Sequence, residues 1–319
     1  MAGVAVAFVT ALALSYLAMW LGPRVGLVDR PGNALKVHTR PTPLLGGVAV
    51  FTGLHVGMAV LGAADTSLIA GTSLVLALGL ADDRFDLAPR LRLIAELAAA
   101  AVLVGLMDSG LRNPAGVVFG IAVVVVAINA VNLLDGLDAL VGSTAFVSAL
   151  GVVWAGAAGR GDWELGATLA AALAGFLMLN RPQARIFLGD NGSYTVGMTL
   201  AYGGLRTTPH GTGSMLLVTA GLLGIFVIDL AVTVLRRARN GRPLFAGDRS
   251  HVYDQLRERG WSTGRVVVAA AATQAILVAC LVGLALTEPG PTTACALLLG
   301  SALIAIAAAW QAGFLRKID

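Results

Sequence analysis

The sequence predicts an all-α fold, a polytopic membrane bundle of about eleven transmembrane helices with its N-terminus outside and its C-terminus cytoplasmic. Three observations predict it. Hydrophobic residues make up 57% of the 319-residue chain, and mean hydropathy is +0.82. Charged residues make up only 13%, about half the share of a soluble domain. The charges also cut the chain into uncharged runs near the roughly 20 residues that cross a hydrocarbon core as a helix.

The first run, 1–23, lacks a basic leader and a small-residue cleavage site, so it reads as a retained helix. Runs 41–64 and 66–81 come next. Segment 91–107 carries Arg92 and Glu96 near its start and is otherwise apolar, so it counts as a crossing. Runs 113–134, 139–159, 165–180, 191–205, 207–228, 266–287 and 289–315 complete the eleven. Alternation then places inner loops at 24–43, 82–92, 129–138, 181–193 and 236–265. Of 22 Lys and Arg, only Arg112, Arg160 and Arg206 fall outside, as the positive-inside rule demands.

Runs 66–81, 165–180 and 191–205 are short for a full crossing, and each meets a charged cluster at its inner end. A recessed polar cavity on that face follows. No soluble domain or internal repeat interrupts the bundle, so 1–319 reads as one domain. The net charge of +4 reflects inner loops facing anionic lipid and ligands, not a nucleic-acid surface. Cys280 and Cys295 read as small packing residues rather than a redox pair. His55, inside a helix, reads as a packing histidine.

Carboxylates near a bilayer are expensive, so their positions are informative. Asp82, Asp83 and Asp86 end the third helix, with Asp82 and Asp86 on one face. Such a cluster suits a proton acceptor, a cation site, or an acidic helix end paired with Arg84 and Arg90. Asn129 and Asn132 share a helical face and precede Asp135, Gly136 and Asp138. Interhelical amide bonds explain the asparagines but not the paired acids. Around Asp190, Gly189 and Gly192 let backbone approach a ligand, and the helix start at Ser193 favours anions. Asp190 then holds a metal while neighbouring N–H groups meet phosphate; ordinary turn and N-cap chemistry is the alternative. The loop from Arg236 through Arg249 to His251 and Asp254 reads as a basic, anion-binding lid. Asp229, in the ninth helix, either lines the cavity or pairs with a neighbour.

These clusters together resemble the polyprenyl-phosphate N-acetylhexosamine-1-phosphate transferase family, which includes the phospho-MurNAc-pentapeptide translocase. His38-Thr-Arg-Pro-Thr-Pro43-Leu-Leu-Gly46-Gly47 looks like the family's first inner loop, and Asp82-Asp83-Arg-Phe-Asp86 like its DDxxD motif. Asn129-x-x-Asn132-x-x-Asp135-Gly136-x-Asp138 looks like NxxNxxDGxDGL, with Ala139 for the last Gly. Phe187-x-Gly189-Asp190-x-Gly192-Ser193 looks like FxGDxGS. The family's late HxHH is reduced to His251-Val-Tyr253-Asp254.

The resemblance implies transfer of HexNAc 1-phosphate, GlcNAc first among candidates, from a UDP-sugar to polyprenyl phosphate, with release of UMP. It implies Mg²⁺ (Mn²⁺ as the alternative ion) on Asp190 and Asn132, and Asp82 or Asp83 deprotonating or orienting the lipid phosphate. Substrate binding falls to Asn129, Asp135, Asp138, Asp86, Arg92, Gly189, Ser193, Arg249, His251 and His38. It also implies a bacterial inner membrane location, a cytoplasmic site and compatibility with a homodimer. The competing readings are another UDP-sugar donor such as UDP-MurNAc-pentapeptide, a secondary transporter, and a non-catalytic lipid-binding relative.

Overall fold

The structure, a computed structural model, describes residues 1–31, 40–108, 111–207, 210–241 and 250–315. Among these residues the chain forms twelve helices: α1 (Ala2–Val25), α2 (Gly46–Val60), α3 (Thr66–Phe85), α4 (Pro89–Leu106), α5 (Pro114–Leu134), α6 (Leu140–Ala157), α7 (Trp163–Asn180), α8 (Asp190–Leu205), α9 (Thr212–Arg239), α10 (Val252–Glu258), α11 (Thr263–Ala285) and α12 (Pro291–Gln311). All but the seven-residue α10 fall one for one on the predicted segments. Eight are long and apolar enough to cross a membrane. The chain is an all-α polytopic membrane protein.

Besides the short α10, the helices that miss that standard are α2, α4 and α8. The last is the most instructive. Its sequence opens Asp-Asn-Gly-Ser-Tyr-Thr and it is only 16 residues long, yet every residue from Asn191 to Leu205 is buried. It packs against α2, α3, α5, α6 and α9. A helix sheathed by other helices never meets lipid, so it needs neither full length nor an apolar surface.

Elsewhere close packing comes from small residues. Gly3, Ala7, Ala11, Ser15, Ala18 and Gly22 form the buried stripe of α1, which lies against α2 and α7. Such stripes let helix backbones approach where lipid offers no hydrophobic drive between helices. The inner end of α8 is among the crowded points. A Cβ on Gly47 would sit 2.2 Å from the Asn191 side-chain oxygen, and one on Gly79 would sit 2.3 Å from the Asn191 backbone. Three helices therefore converge on Asn191 only because two of them carry glycine there.

Buried polar side chains stitch the bundle. Gln274 of α11 donates from Nε2 to the carbonyls of Gly221 (2.9 Å) and Leu222 (3.0 Å) and accepts from the Ile225 N–H at 3.0 Å. Its amide is thus inserted into the backbone ladder of α9, where a regular helix pairs residue 225 with 221. His55 is a packing histidine as expected, its Nε2 2.8 Å from Thr72 Oγ1.

Two expectations are corrected. Arg236, Arg237 and Arg239 lie in the last turn of α9, not in a loop, because that helix runs for 28 residues, ~42 Å at 1.5 Å per residue. Cys280 and Cys295 are free and exposed on outward faces, so they pack no core. Beside the helices, β1 (Val28–Asp29) pairs antiparallel with β2 (Thr42–Pro43).

Gly79→Ala should lower the unfolding temperature of detergent-solubilised protein, overpacking costing about 1–3 kcal/mol. Gly105→Ala in α4, where a Cβ meets nothing within 4 Å, should be neutral or slightly stabilising. Equal effects from the two would refute the crowding argument.

Candidate active site

The predicted inner loops meet at one end of the bundle through named bonds. The Pro43 carbonyl accepts from the Phe187 N–H at 2.8 Å, while Gly46 and Gly47 donate back to the carbonyls of Phe187 and Leu188. The first inner loop is thereby laid alongside the strand-like segment that delivers Asp190. Asn191 Nδ2 adds a bond to the Leu44 carbonyl at 2.6 Å.

Asp83 reaches the amino end of α8. Its carboxylate accepts from the N–H groups of Asp190 (3.0 Å) and Asn191 (3.2 Å) and from Asn191 Nδ2 (2.6 Å). The N–H groups of Gly192 and Ser193 turn back to the Gly189 carbonyl. So the anion seat expected for a phosphate at this helix start is taken by the protein's own carboxylate. The expected phosphate contact is corrected accordingly: the amino end of α8 meets Asp83 instead.

Asp82, buried one residue earlier, accepts from Tyr194 Oη (2.7 Å), Arg92 (3.0 Å) and the Leu87 N–H (2.9 Å). Arg92, not Arg84 or Arg90, is therefore its ionic partner. The guanidinium stays partly exposed, with other N–H groups left for an anion. Asp190 interacts directly with Asp82 and accepts from Asn132 Nδ2 at 2.6 Å, while the same amide reaches Ser193 Oγ at 3.0 Å. Asp82, Asp83, Asn132, Asp190 and Ser193 are thus one constellation.

Other predicted residues stand apart from it. Asp86 takes a left-handed conformation (φ 51°) past the end of α3 and is exposed, so it shares no helical face with Asp82. Asn129 lies on an exposed face and bonds Glu96, a buried acid of α4. Asp138 accepts from the N–H groups of Gln183 and Ala184, holding that loop in place. Asp135 is pushed up to about 7 by burial, and then by the charges of Asp83 and Asp138. His251 pairs with Asp229 at 2.8 Å. Gly189 begins α8 at φ 75°. His38 and Arg249 lie outside the described residues.

Sequence reasoning missed Tyr194, Asn191 and Tyr253. Tyr194 and Asn191 follow Asp190 directly, yet only the packing of α3 on α8 aims them at the Asp pair. Tyr253 carries its hydroxyl against Gly136, where a Cβ would lie 1.9 Å from Oη. Gly136, read as a turn residue, is also a seat for that ring.

Does this donor set suit a hard divalent cation? No three Asp, Glu, His or Cys side chains among the described residues converge as a ready-made ligand set. Asp82 and Asp190 nonetheless face one another with one arginine beside them, and Asn132 offers an amide. Such oxygens fit Mg²⁺, which keeps several waters and needs few protein ligands.

Residues 66–207, which hold the whole constellation, match glycosyl transferase family 4. That segment is what the chain shares with the family. It is 29% identical over 315 residues to the decaprenyl-phosphate N-acetylglucosaminephosphotransferase of Mycobacterium tuberculosis, covering 83% of this chain and 77% of the relative. The probable undecaprenyl-phosphate N-acetylglucosaminyl 1-phosphate transferase of Bacillus subtilis is 27% identical over 81% of this chain and 77% of its own. The undecaprenyl-phosphate alpha-N-acetylglucosaminyl 1-phosphate transferase of Escherichia coli K12 is 28% identical over 82% and 77%.

Asp83→Ala strands three donors at the α8 start and should cost about 1–3 kcal/mol of stability. Asp83→Asn keeps an acceptor there and should cost less. Thermal unfolding of the two variants in detergent checks this, and equal losses would remove the capping role.

Proposed function

We propose that this protein transfers N-acetylglucosamine 1-phosphate from UDP-GlcNAc to polyprenyl phosphate, giving polyprenyl-diphospho-GlcNAc and UMP. The observation that carries the reading is the Asp82–Asp83–Asn132–Asp190 constellation, set inside the family-matched segment. The printed functions of the similar proteins support the sugar phosphate and the lipid acceptor.

In this reaction an oxygen of the lipid phosphate forms a bond to the β-phosphorus of the donor, and the bond from that phosphorus to the bridging oxygen breaks, releasing UMP. Two anions must be held together, so catalysis is mainly positioning and charge neutralisation. When bound, Mg²⁺ on Asp190 and Asn132 supplies that neutralisation. Arg92, braced by Asp82, offers its outer N–H groups to the lipid phosphate. Asp83 keeps α8 and therefore Asp190 in register. The second phosphate pKa is about 6, so the acceptor is ionised without a strong base, and direct attack suffices. Asp135 and His251 face the donor.

The charge asymmetry supports a site on the cytoplasmic side of the bacterial inner membrane, eleven crossings and an outside N-terminus. There the acceptor's headgroup meets the site while its tail stays in lipid. The exposed face of α5 at Asn129 offers a sideways approach.

Purified protein with undecaprenyl phosphate, UDP-GlcNAc and Mg²⁺ should release UMP and form the matching lipid-linked sugar, and EDTA should stop both. Asp190→Asn should abolish turnover while unfolding near the wild-type temperature. Near-normal activity in that variant would overturn the metal assignment. Product from a different UDP-sugar only would replace the donor.

A further inference from the structure

Resting on that reading, we propose that Asp229 is a positioning residue of the transfer: it holds the His251 ring with a proton on Nδ1, so that Nε2 is the atom His251 turns to the donor's diphosphate or sugar. The argument begins in α9. Asp229, Thr233 and Arg236 recur every three to four residues on its buried face, where an unpaired carboxylate is costly. Asp229 is satisfied by two groups arriving from beyond the long inner segment. Its Oδ2 lies 2.8 Å from His251 Nδ1, and its Oδ1 accepts from the Val252 N–H at 3.3 Å.

The rest of the contacts fix the ring rather than merely touching it. Thr233 Oγ1 is 3.3 Å from the same Nδ1. Asp254 accepts from the His251 N–H at 3.3 Å and ties down the backbone. Tyr253 stacks on the imidazole with centroids 5.3 Å apart and planes 9° apart, and its hydroxyl meets Gly136. With Nδ1 committed to a carboxylate, the tautomer and the outward nitrogen are both decided, as in any carboxylate–histidine pair. Tyr253 links this pair to the loop carrying Asp135. The stacked tyrosine holds the ring's plane.

The test has two independent readouts. In selectively ¹⁵N-histidine-labelled protein, the His251 signal, identified by its loss in His251→Gln, should show a protonated Nδ1 in the wild type. Asp229→Leu should shift it toward the Nε2-protonated form that free histidine prefers. In the transferase assay, Asp229→Asn should lower kcat/KM for the sugar nucleotide about 10–100-fold, and Asp229→Glu should recover part of it. The double variant Asp229→Asn/His251→Gln should be no slower than His251→Gln alone, because Asp229 acts through the ring. Multiplying losses in the double variant would overturn the proposal, as would an Nδ1 proton unchanged in Asp229→Leu. Wild-type protein that makes no product from UDP-GlcNAc would instead refute the reading of the reaction, while the nitrogen signal would still decide the pairing.

Discussion

A helix that begins inside a bundle leaves its first N–H groups without partners and without water to replace them. Asp83 solves that problem for α8, and much of the site depends on the solution. The cap ties the end of α3 to the start of α8. The preceding residue, Asp82, then faces the next turn of α8, where Tyr194 donates to it. Asp190, at the first position of the capped helix, is brought against Asp82 and Asn132. A carboxylate that looks available for chemistry is at once the fastener of the helix that carries Asp190.

That fastening requires backbone approach closer than any side chain allows. Gly47 and Gly79 leave room for Asn191, whose amide bonds both Leu44 and Asp83. These two glycines, one in α2 and one in α3, thus contribute by absence of volume, not by conformational freedom. The same economy recurs away from the site. The small-residue stripe of α1 and the Gln274 amide within the α9 ladder each replace lipid contact with contact between backbones. The scaffold is stiff where the chemistry needs fixed anions.

The inner end also has a second layer. The short α10, with its stacked His251 and Tyr253, sits over the Asp135 loop and is anchored to α9 by Asp229. The segment is thus held from two sides, by Asp229 of α9 and by the seat of Tyr253 against Gly136.

The sequence by itself determined the membrane class, the eleven helical segments and the residue types of the site. Runs of apolar residues and the placement of arginines are one-dimensional signals, and a bilayer reads them one segment at a time. Tertiary structure alone decided which polar groups face each other. The burial of α8 explains why a short polar segment belongs in the bundle. The left-handed residue at Asp86 removes it from the face of Asp82, although helical spacing alone would join them. Asp138 proved to hold a loop, Arg92 to serve Asp82, and Asp229 to serve His251. Those pairings, with that of Tyr194 and Asp82, join residues as far as 112 positions apart. No local pattern encodes them, because they follow from how whole helices pack and not from any one helix.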